Sequence, residues 1–382
     1  MVRRLVDIPG FSIDRVAEAA GDDPEVLRLE NLDSDLPPPP RALAVTRAAL
    51  ESEAANSYLP FTGTVALRSA VAERLRRQTG HPYDPNDVVI TCGGTEGMFD
   101  ALLAVTDPGD EVLLTDPTYA GMVNRVRLAG AVPRFAPLVV ERGEWRLDVE
   151  GLRAAVSERT RAVFFMNPSM PSGALLDASE WDAIAALCRE RSLWLLYNAA
   201  MERILFDGRA CAHPAALPGM AERTITIGSV SKEYRMIGWR IGWVAGPPAI
   251  LRDVARVHVY NVVTATGIAQ AGAAAALAEP ASELAPYLAE WQRRRDALLG
   301  QLEGLPAVRP AGGWSLLLDV GAMGFDSRTA SRLLLERGRV AATPMRDWGS
   351  ESSDRFVRLV FSREPVARLA QLRARLERAL GA

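Results

Sequence analysis

A chain of 382 residues, 48% of them hydrophobic, exceeds one ordinary domain and has ample material for a large core, so two packed domains are expected. Its net charge of −3, with acidic and basic residues interspersed rather than gathered into a basic stripe, argues against a nucleic-acid partner. No apolar run approaches the roughly 18 residues a bilayer span requires. MVRRLVDIPG lacks the apolar stretch of a signal peptide, and Cys92, Cys188 and Cys211 form neither a CxxC pair nor an even disulfide set, so a cytoplasmic protein with no membrane contact and no metal site is expected.

Residues 1–45 read as an N-terminal arm: an amphipathic stretch, the segment Leu27 to Leu36, then Pro37 to Pro40, which no helix interior or central strand accommodates. A helical run rich in alanine follows. From Asp87 onward, short apolar strand candidates alternate with helical stretches: VVITCG, EVLLTD, RAVFFMN, LWLLYN, RTITIGS and IGWVAG. Such alternation predicts an α/β fold with a mostly parallel sheet covered by helices on both faces. Functional residues are then expected just past the strand ends, where such sheets bind ligands. An alanine-rich helix around Ile268 to Ala278 and a long helical stretch through Trp291 and Arg295 lead to WSLLLDV and FVRLVFS, which read as a smaller α+β domain. The expected division is an arm with part of the small domain (1–45), a large ligand-binding domain (46–283) and a small C-terminal domain (284–382).

Among 44 lysines and arginines a single lysine occurs, Lys232. Where arginine supplies positive charge everywhere else, the exception belongs where arginine cannot serve. Arginine stays protonated and forms no imine, whereas a desolvated lysine attacks carbonyls. A surface lysine that survived by chance is the competing reading until its neighbours are considered. Ser229, Ser231 and Arg240 stand around it just past a strand end, and they supply the hydroxyls and fixed positive charge that a phosphate ester needs. The segment SVSKEYRMIGWRIGW resembles the lysine motif of the class I/II aminotransferases, the fold type I pyridoxal 5′-phosphate (PLP) enzymes of the aspartate aminotransferase superfamily. The resemblance implies a seven-stranded-type sheet, a Schiff base between PLP and Lys232, and a phosphate contact from Arg240.

Other segments carry the same resemblance in the family's order. VVITCGGTEGMFDAL is a strand, a glycine turn and a helix start, so the amides of Gly93, Gly94, Thr95 and Glu96 can converge on an anion, which the resemblance makes the cofactor phosphate. In TDPTYAGM, Tyr119 takes the position of the aromatic residue that stacks on the pyridine ring, although a core tyrosine is the commoner fate of that residue type. MNPSMPSGALL resembles the NPxNPTG signature with Met170 and Ser172 in place of asparagine and threonine. Asn167 is expected there as donor to the cofactor's phenolic oxygen and as a substrate contact, against the alternative of a plain turn asparagine. SYLPFTGTVALRSAVAERL resembles the segment whose tyrosine reaches across a dimer interface to the partner's phosphate, which implies a homodimer with Tyr58 in that role. RFVRLVFS resembles the strand whose arginine forks onto the substrate carboxylate, a role that strand alternation gives to Arg358 rather than Arg355 or Arg363. A salt-bridged strand arginine is the other reading of Arg358.

The chain departs from the family at its DExY motif, where Asn198, Ala199, Ala200 and Met201 stand. The aspartate ordinarily keeps the pyridine nitrogen protonated so that the ring accepts electrons released at Cα. Asn198 takes that cofactor contact without a charge, and each pKa unit lost from the ring is about 1.4 kcal/mol. Met201 removes a hydroxyl that usually faces the phenolic oxygen. The expected function is an aminotransferase moving an amino group between an L-amino acid and a 2-oxo acid, with Lys232 as imine-forming amine and general base. Arg358 implies an amino acid carboxylate. No second fixed cation reads as a partner for an acidic side chain, so neutral or aromatic side chains are favoured. Asn198 and Met201 keep open a PLP-dependent lyase, cyclase or oxidase on the same scaffold, and a PLP-binding regulatory protein without turnover is a reading of a different class.

Overall fold

The apolar runs from residue 88 onward pair into one sheet because their residues are buried on both faces and must satisfy every backbone group internally. The computed structural model describes Val2 and residues 5–381; Met1, Arg3, Arg4 and Ala382, at the ends of the expected arm and C-terminal domain, lie outside the described residues. A short strand in the arm, β1 (Leu27–Arg28), precedes β2 (Val88–Thr91), β3 (Glu111–Asp116), β4 (Val132–Glu141) and β5 (Glu144–Leu147). β6 (Thr160–Met166), β7 (Trp194–Asn198), β8 (Thr224–Ser229) and β9 (Gly242–Ala245) follow. β2 to β9 form an eight-stranded sheet in the order β2-β9-β8-β7-β6-β3-β4-β5. The inner strands from β8 to β4 run parallel, and the pairs β2–β9, β8–β9 and β4–β5 are antiparallel.

Six of these strands fall on the apolar runs visible in the sequence, and the two strands of the hairpin β4–β5 bring the sheet to eight, one more than expected. Pro133 and Pro137 hide β4 from any reading by periodicity. β3 pairs with residues 132–137 of β4 while β5 pairs only with residues 138–141, so both prolines lie where one side of the strand has no ladder to interrupt. Alternation sends Phe164 and Leu196 to one face, packed with Met98 and Leu102 of the helix Gly93–Val105. Phe165 and Tyr197 go to the other face, against Trp181 and Ile184 of the helix Ala178–Glu190. Each such fully buried side chain contributes about 1.5–3 kcal/mol.

The C-terminal part adds β10 (Ser315–Asp319), β11 (Val340–Ala341), β12 (Thr343–Pro344) and β13 (Phe356–Val360). β13 lies between β10 and β12, antiparallel to both, with Arg358 opposite Leu317 and Thr343. The arm docks beside this sheet: β1 pairs in parallel with β11 as a separate two-stranded sheet, and the Val360 amide of β13 donates to the Leu29 carbonyl at 2.9 Å. Carried this way, residues 31–33 reach the C-terminal ends of β6, β7 and β8, where the second sheet and the first meet. Among the described residues, no helix is long and apolar enough to cross a membrane.

Candidate active site

A cavity of about 270 Å³ opens at those strand ends. One end of it is built on the turn between β2 and the helix Gly93–Val105. Gly93 has φ +76°, a conformation that costs an L-residue, and a Cβ there would collide with Nη2 of Arg240. Glycine therefore lets the guanidinium lie against a helix start whose first amides have no intrahelical partner, a combination suited to an anion. Arg240 donates through Nη1 to the Ile237 carbonyl at 3.0 Å and to Ser231 Oγ at 3.5 Å, so both of these partners are neutral oxygens. Gly94, Thr95, Ser229, Ser231 and Arg240 all line the cavity.

Lys232 follows β8 by three residues and lines the same cavity. Its Nζ donates to the Leu32 carbonyl of the arm at 2.5 Å and stands 5.0 Å from the ring centroid of Trp314. Burial pushes its pKa down to about 7; Asp33 opposes the shift, and Arg358 and Arg240 add to it. An amine poised near neutrality has a substantial nucleophilic fraction, a property that a solvated surface lysine lacks.

Asn198 ends β7 and is buried. Its Oδ1 accepts from the Ala200 amide at 3.1 Å, and its Nδ2 faces only the thioether of Met98 at 3.6 Å, an orientation fixed by that hydrogen-bonding pattern. Met166, Met170 and Met201 complete a sulfur-rich lining here. Tyr119 also lines the cavity, with Phe11 of the arm edge-on to it at 6.4 Å and Trp348 at 6.3 Å.

The geometry corrects the expectation for Asn167. Met166, the last residue of β6, faces the cavity, so the next side chain points the other way. The buried Asn167 accepts from the Leu176 amide at 2.9 Å and donates to Cys211 Sγ at 3.0 Å, and it is not among the lining residues. The side chain that this loop turns into the cavity is Met170, which has no polar hydrogen to donate. Tyr58 stands apart as well: it is 83% exposed and belongs to the outer surface rather than to the cavity of its own chain.

Arg358 is fully buried in the middle of β13. Nη2 donates to the Glu30 carbonyl and to Thr343 Oγ1, Nη1 faces the Met170 thioether at 3.5 Å, and Nε has no partner. Its guanidinium lies 4.7 Å from the Trp348 ring centroid. Burial pulls its pKa down to about 9, against smaller opposing effects of Tyr119 and Glu30. A buried cation without a carboxylate is costly by several kcal/mol, and this one opens on the cavity. Its neighbours in sequence are already neutralised: Arg355 is paired with Asp319 and Arg363 with Asp33.

Several lining residues carry no local signal in the sequence. Leu32, Phe11 and Ile13 come from the arm, and Met98 from the inner face of the helix Gly93–Val105; only the tertiary fold brings them to Lys232.

The family Aminotransferase class I and II matches residues 25–376. The chain is similar to the arginine–pyruvate transaminase of Pseudomonas aeruginosa, 32% identical over 366 residues that cover 94% of this chain and 91% of the relative. It is 31% identical to the aspartate/prephenate aminotransferase of Thermus thermophilus, over 91% of this chain and 87% of that one. Among solved structures, the N-succinyldiaminopimelate aminotransferase of Mycobacterium tuberculosis superposes with a TM-score of 0.92 at 32% identity, covering 98% of this chain and 99% of the other. With its mostly parallel large sheet, its smaller second sheet and a match over nearly its whole length, the chain belongs to the class I and II aminotransferases and is an aminotransferase.

Proposed function

We propose that this aminotransferase holds PLP through Lys232 and moves an amino group between an L-amino acid with a neutral or aromatic side chain and a 2-oxo acid. The observation that carries the proposal is the meeting, in one cavity, of the sole lysine at a lowered pKa with two guanidiniums, Arg240 and Arg358, whose partners are neutral. A dianionic phosphate and a carboxylate supply the charge those two groups lack. The class I and II aminotransferases use PLP, and the glycine cradle that a Cβ would close and the orphaned Nε of Arg358 both fit a PLP-bound amino acid. When bound, PLP supplies a carbonyl for the amine and a conjugated ring that draws electrons from Cα.

Each residue then has one task. Gly93, Gly94 and Thr95 present helix-start amides, and Ser229, Ser231 and Arg240 add hydroxyls and charge, to hold the phosphate. Lys232 in its neutral form would supply the amine that bonds the cofactor and, once released by substrate, would serve as the base that takes and returns the Cα proton. Arg358 fixes the substrate carboxylate in one plane. Tyr119 would pack against the ring. Asn198 would offer the pyridine nitrogen an uncharged amide in place of a carboxylate, which suits a nitrogen without a proton. Met170 and Met201 would bring no hydrogen-bond donor to the phenolic oxygen, so this site would make the ring a weaker electron sink than an aspartate and a tyrosine would. Of the remaining lining Phe11, Ile13, Leu32 and Ile237 are apolar and Asn31 is polar but uncharged, which favours uncharged substrate side chains. Exposed Tyr58, with Phe61 beside it at 47%, supports a homodimer in which Tyr58 reaches the partner's phosphate.

The test is a panel of L-amino acids given to the PLP-loaded protein with a 2-oxo acid acceptor, scored for new 2-oxo acid and for pyridoxamine phosphate. Turnover with neutral or aromatic amino acids is expected. A preference for aspartate or glutamate sinks the side-chain assignment, and release of ammonia or peroxide in place of amino transfer sinks the reaction. Sedimentation of the same protein separates a dimer from a monomer.

A further inference from the structure

A buried cluster behind the Gly93 turn has no part in the chemistry above. His258, near the end of the helix Pro248–Asn261, is fully buried, with Nδ1 2.6 Å from Glu96 Oε1 and 3.7 Å from Asp100 Oδ2, and Nε2 2.9 Å from the Phe61 carbonyl. A carbonyl oxygen only accepts, so Nε2 carries a hydrogen; the carboxylate of Glu96 likewise takes a hydrogen from Nδ1. His258 with both nitrogens donating is an imidazolium. Burial disfavours that charge, but Asp100 and Glu96 outweigh it and raise the pKa to about 9. Burial also raises Glu96, yet donation from His258 and from the Cys92 amide holds its carboxyl below the usual range. Burial together with the Glu96 charge keeps Asp100 above its own, against donation from His258 and from Asn261 Nδ2 at 3.1 Å. The Glu96–His258 pair thus sets one anion against one cation, with Asp100 beside it. Ligand atoms about 2.0–2.2 Å from a zinc ion stand more than about 3 Å apart, so the shorter Glu96–His258 contact is that of a hydrogen-bonded ion pair.

The positions of the two ends give the cluster its meaning. Glu96 lies in the first turn of the helix Gly93–Val105, and its second oxygen accepts from the Cys92 amide at the helix start. An unpaired carboxylate there would repel a phosphate held at the same helix start, by about 2 kcal/mol for unit charges some 7 Å apart in a partly screened protein environment. Phe61 lies three residues after Tyr58, in a segment tied to β2 by the Ile90 amide, which donates to the Thr62 carbonyl at 3.0 Å. We propose that His258 is a positioning residue for the cofactor phosphate: it neutralises Glu96 beneath the Gly93–Thr95 turn and fastens that turn to the segment bearing Tyr58. The proposal rests on the reading that this turn holds the PLP phosphate.

The experiment compares PLP with pyridoxal, which lacks the phosphate, as ligands of full-length apo-protein, followed by the visible absorbance that either acquires on bonding to Lys232. His258→Gln is expected to weaken PLP about tenfold or more and leave pyridoxal unchanged, and Glu96→Gln added to His258→Gln is expected to recover part of the loss. Equal weakening of both ligands, or of neither, overturns the proposal. The wild-type protein offers a readout that needs no variant. With only three histidines in the chain, nitrogen-15 labelling of histidine resolves His258, which is expected as an imidazolium at about pH 8 and to shift on adding PLP but not pyridoxal. A neutral ring, or equal response to both ligands, contradicts it. Failure of the wild-type protein to bind either ligand, or an unchanged visible band in Lys232→Ala, strikes the PLP reading instead and is told apart by that.

Discussion

At one end of the cavity Gly93, Ser229, Ser231 and Arg240 assemble helix-start amides, hydroxyls and a guanidinium whose hydrogen bonds go to neutral oxygens; at the other, Asn198 stands among Met98, Met166, Met170 and Met201. The first end has what a phosphate demands, while the second offers a neutral amide and thioethers to a ring. Holding a cofactor and tuning it are therefore separable in this molecule. In the proposed function, affinity would be built on backbone and charge at the helix start, whereas the rate of any step that draws electrons into the ring would depend chiefly on the side chain at the end of β7. In that proposal Lys232 and Arg358 would join the two ends, one through the bond to the cofactor and one through the substrate carboxylate.

Substitutions at the joining residues carry the largest expected effects. Lys232→Ala removes the amine needed by both ends, and transamination measured by 2-oxo acid formation is expected to fall by 10²–10⁴-fold or more. Retained activity in that variant removes Lys232 from the chemistry. Arg358→Lys replaces a planar fork with a point charge, and kcat/KM for the amino acid is expected to drop by about 10²-fold, from the roughly 2–5 kcal/mol that a buried charge pair is worth, with PLP affinity unchanged. A parallel loss of PLP affinity would place Arg358 in cofactor binding and erase the distinction between the ends. Gly93→Ala forces a Cβ toward Arg240 in a left-handed backbone conformation. It should cost about 1–2 kcal/mol and show as weaker PLP binding while the rate at saturating cofactor is spared. The smallest effect is that of pH. Because the amine attacks only when neutral, and burial lowers its pKa to about 7, PLP uptake by the apo-protein should climb as pH rises through about 7 and level off above. A climb centred near the ordinary lysine value in stopped-flow absorbance would show the amine to be solvated.

How much of this is legible in the sequence depends on whether the signal is local. The lone lysine, the glycine turn and six strands announce themselves through residue chemistry and apolar runs that their burial requires. β4 does not, since Pro133 and Pro137 break its pattern and only the pairing geometry shows why they are tolerated. Asn167 and Met170 illustrate a finer limit. The motif supplies both residues, but which one enters the cavity is decided by the phase of β6, whose last residue Met166 takes the inward position. Strand alternation selects Arg358 over Arg355 and Arg363, and the ion pairs of the latter two give the physical reason. The arm's contribution, from Leu32 beneath the Lys232 amine to Phe11 beside Tyr119, arises from contacts across some 100–200 residues of chain and leaves no trace in any short window.

The most direct test of the contrast between the two ends is Asn198→Asp, with PLP affinity and the rate of the half-reaction with an amino acid measured on the same preparation. If the phosphate end sets binding and the ring end sets electronics, affinity stays within about twofold while the rate rises by about tenfold for each pKa unit restored to the ring nitrogen. A slower half-reaction, or a change in affinity as large as the change in rate, would contradict the account and make Asn198 part of a reaction that a charged partner spoils.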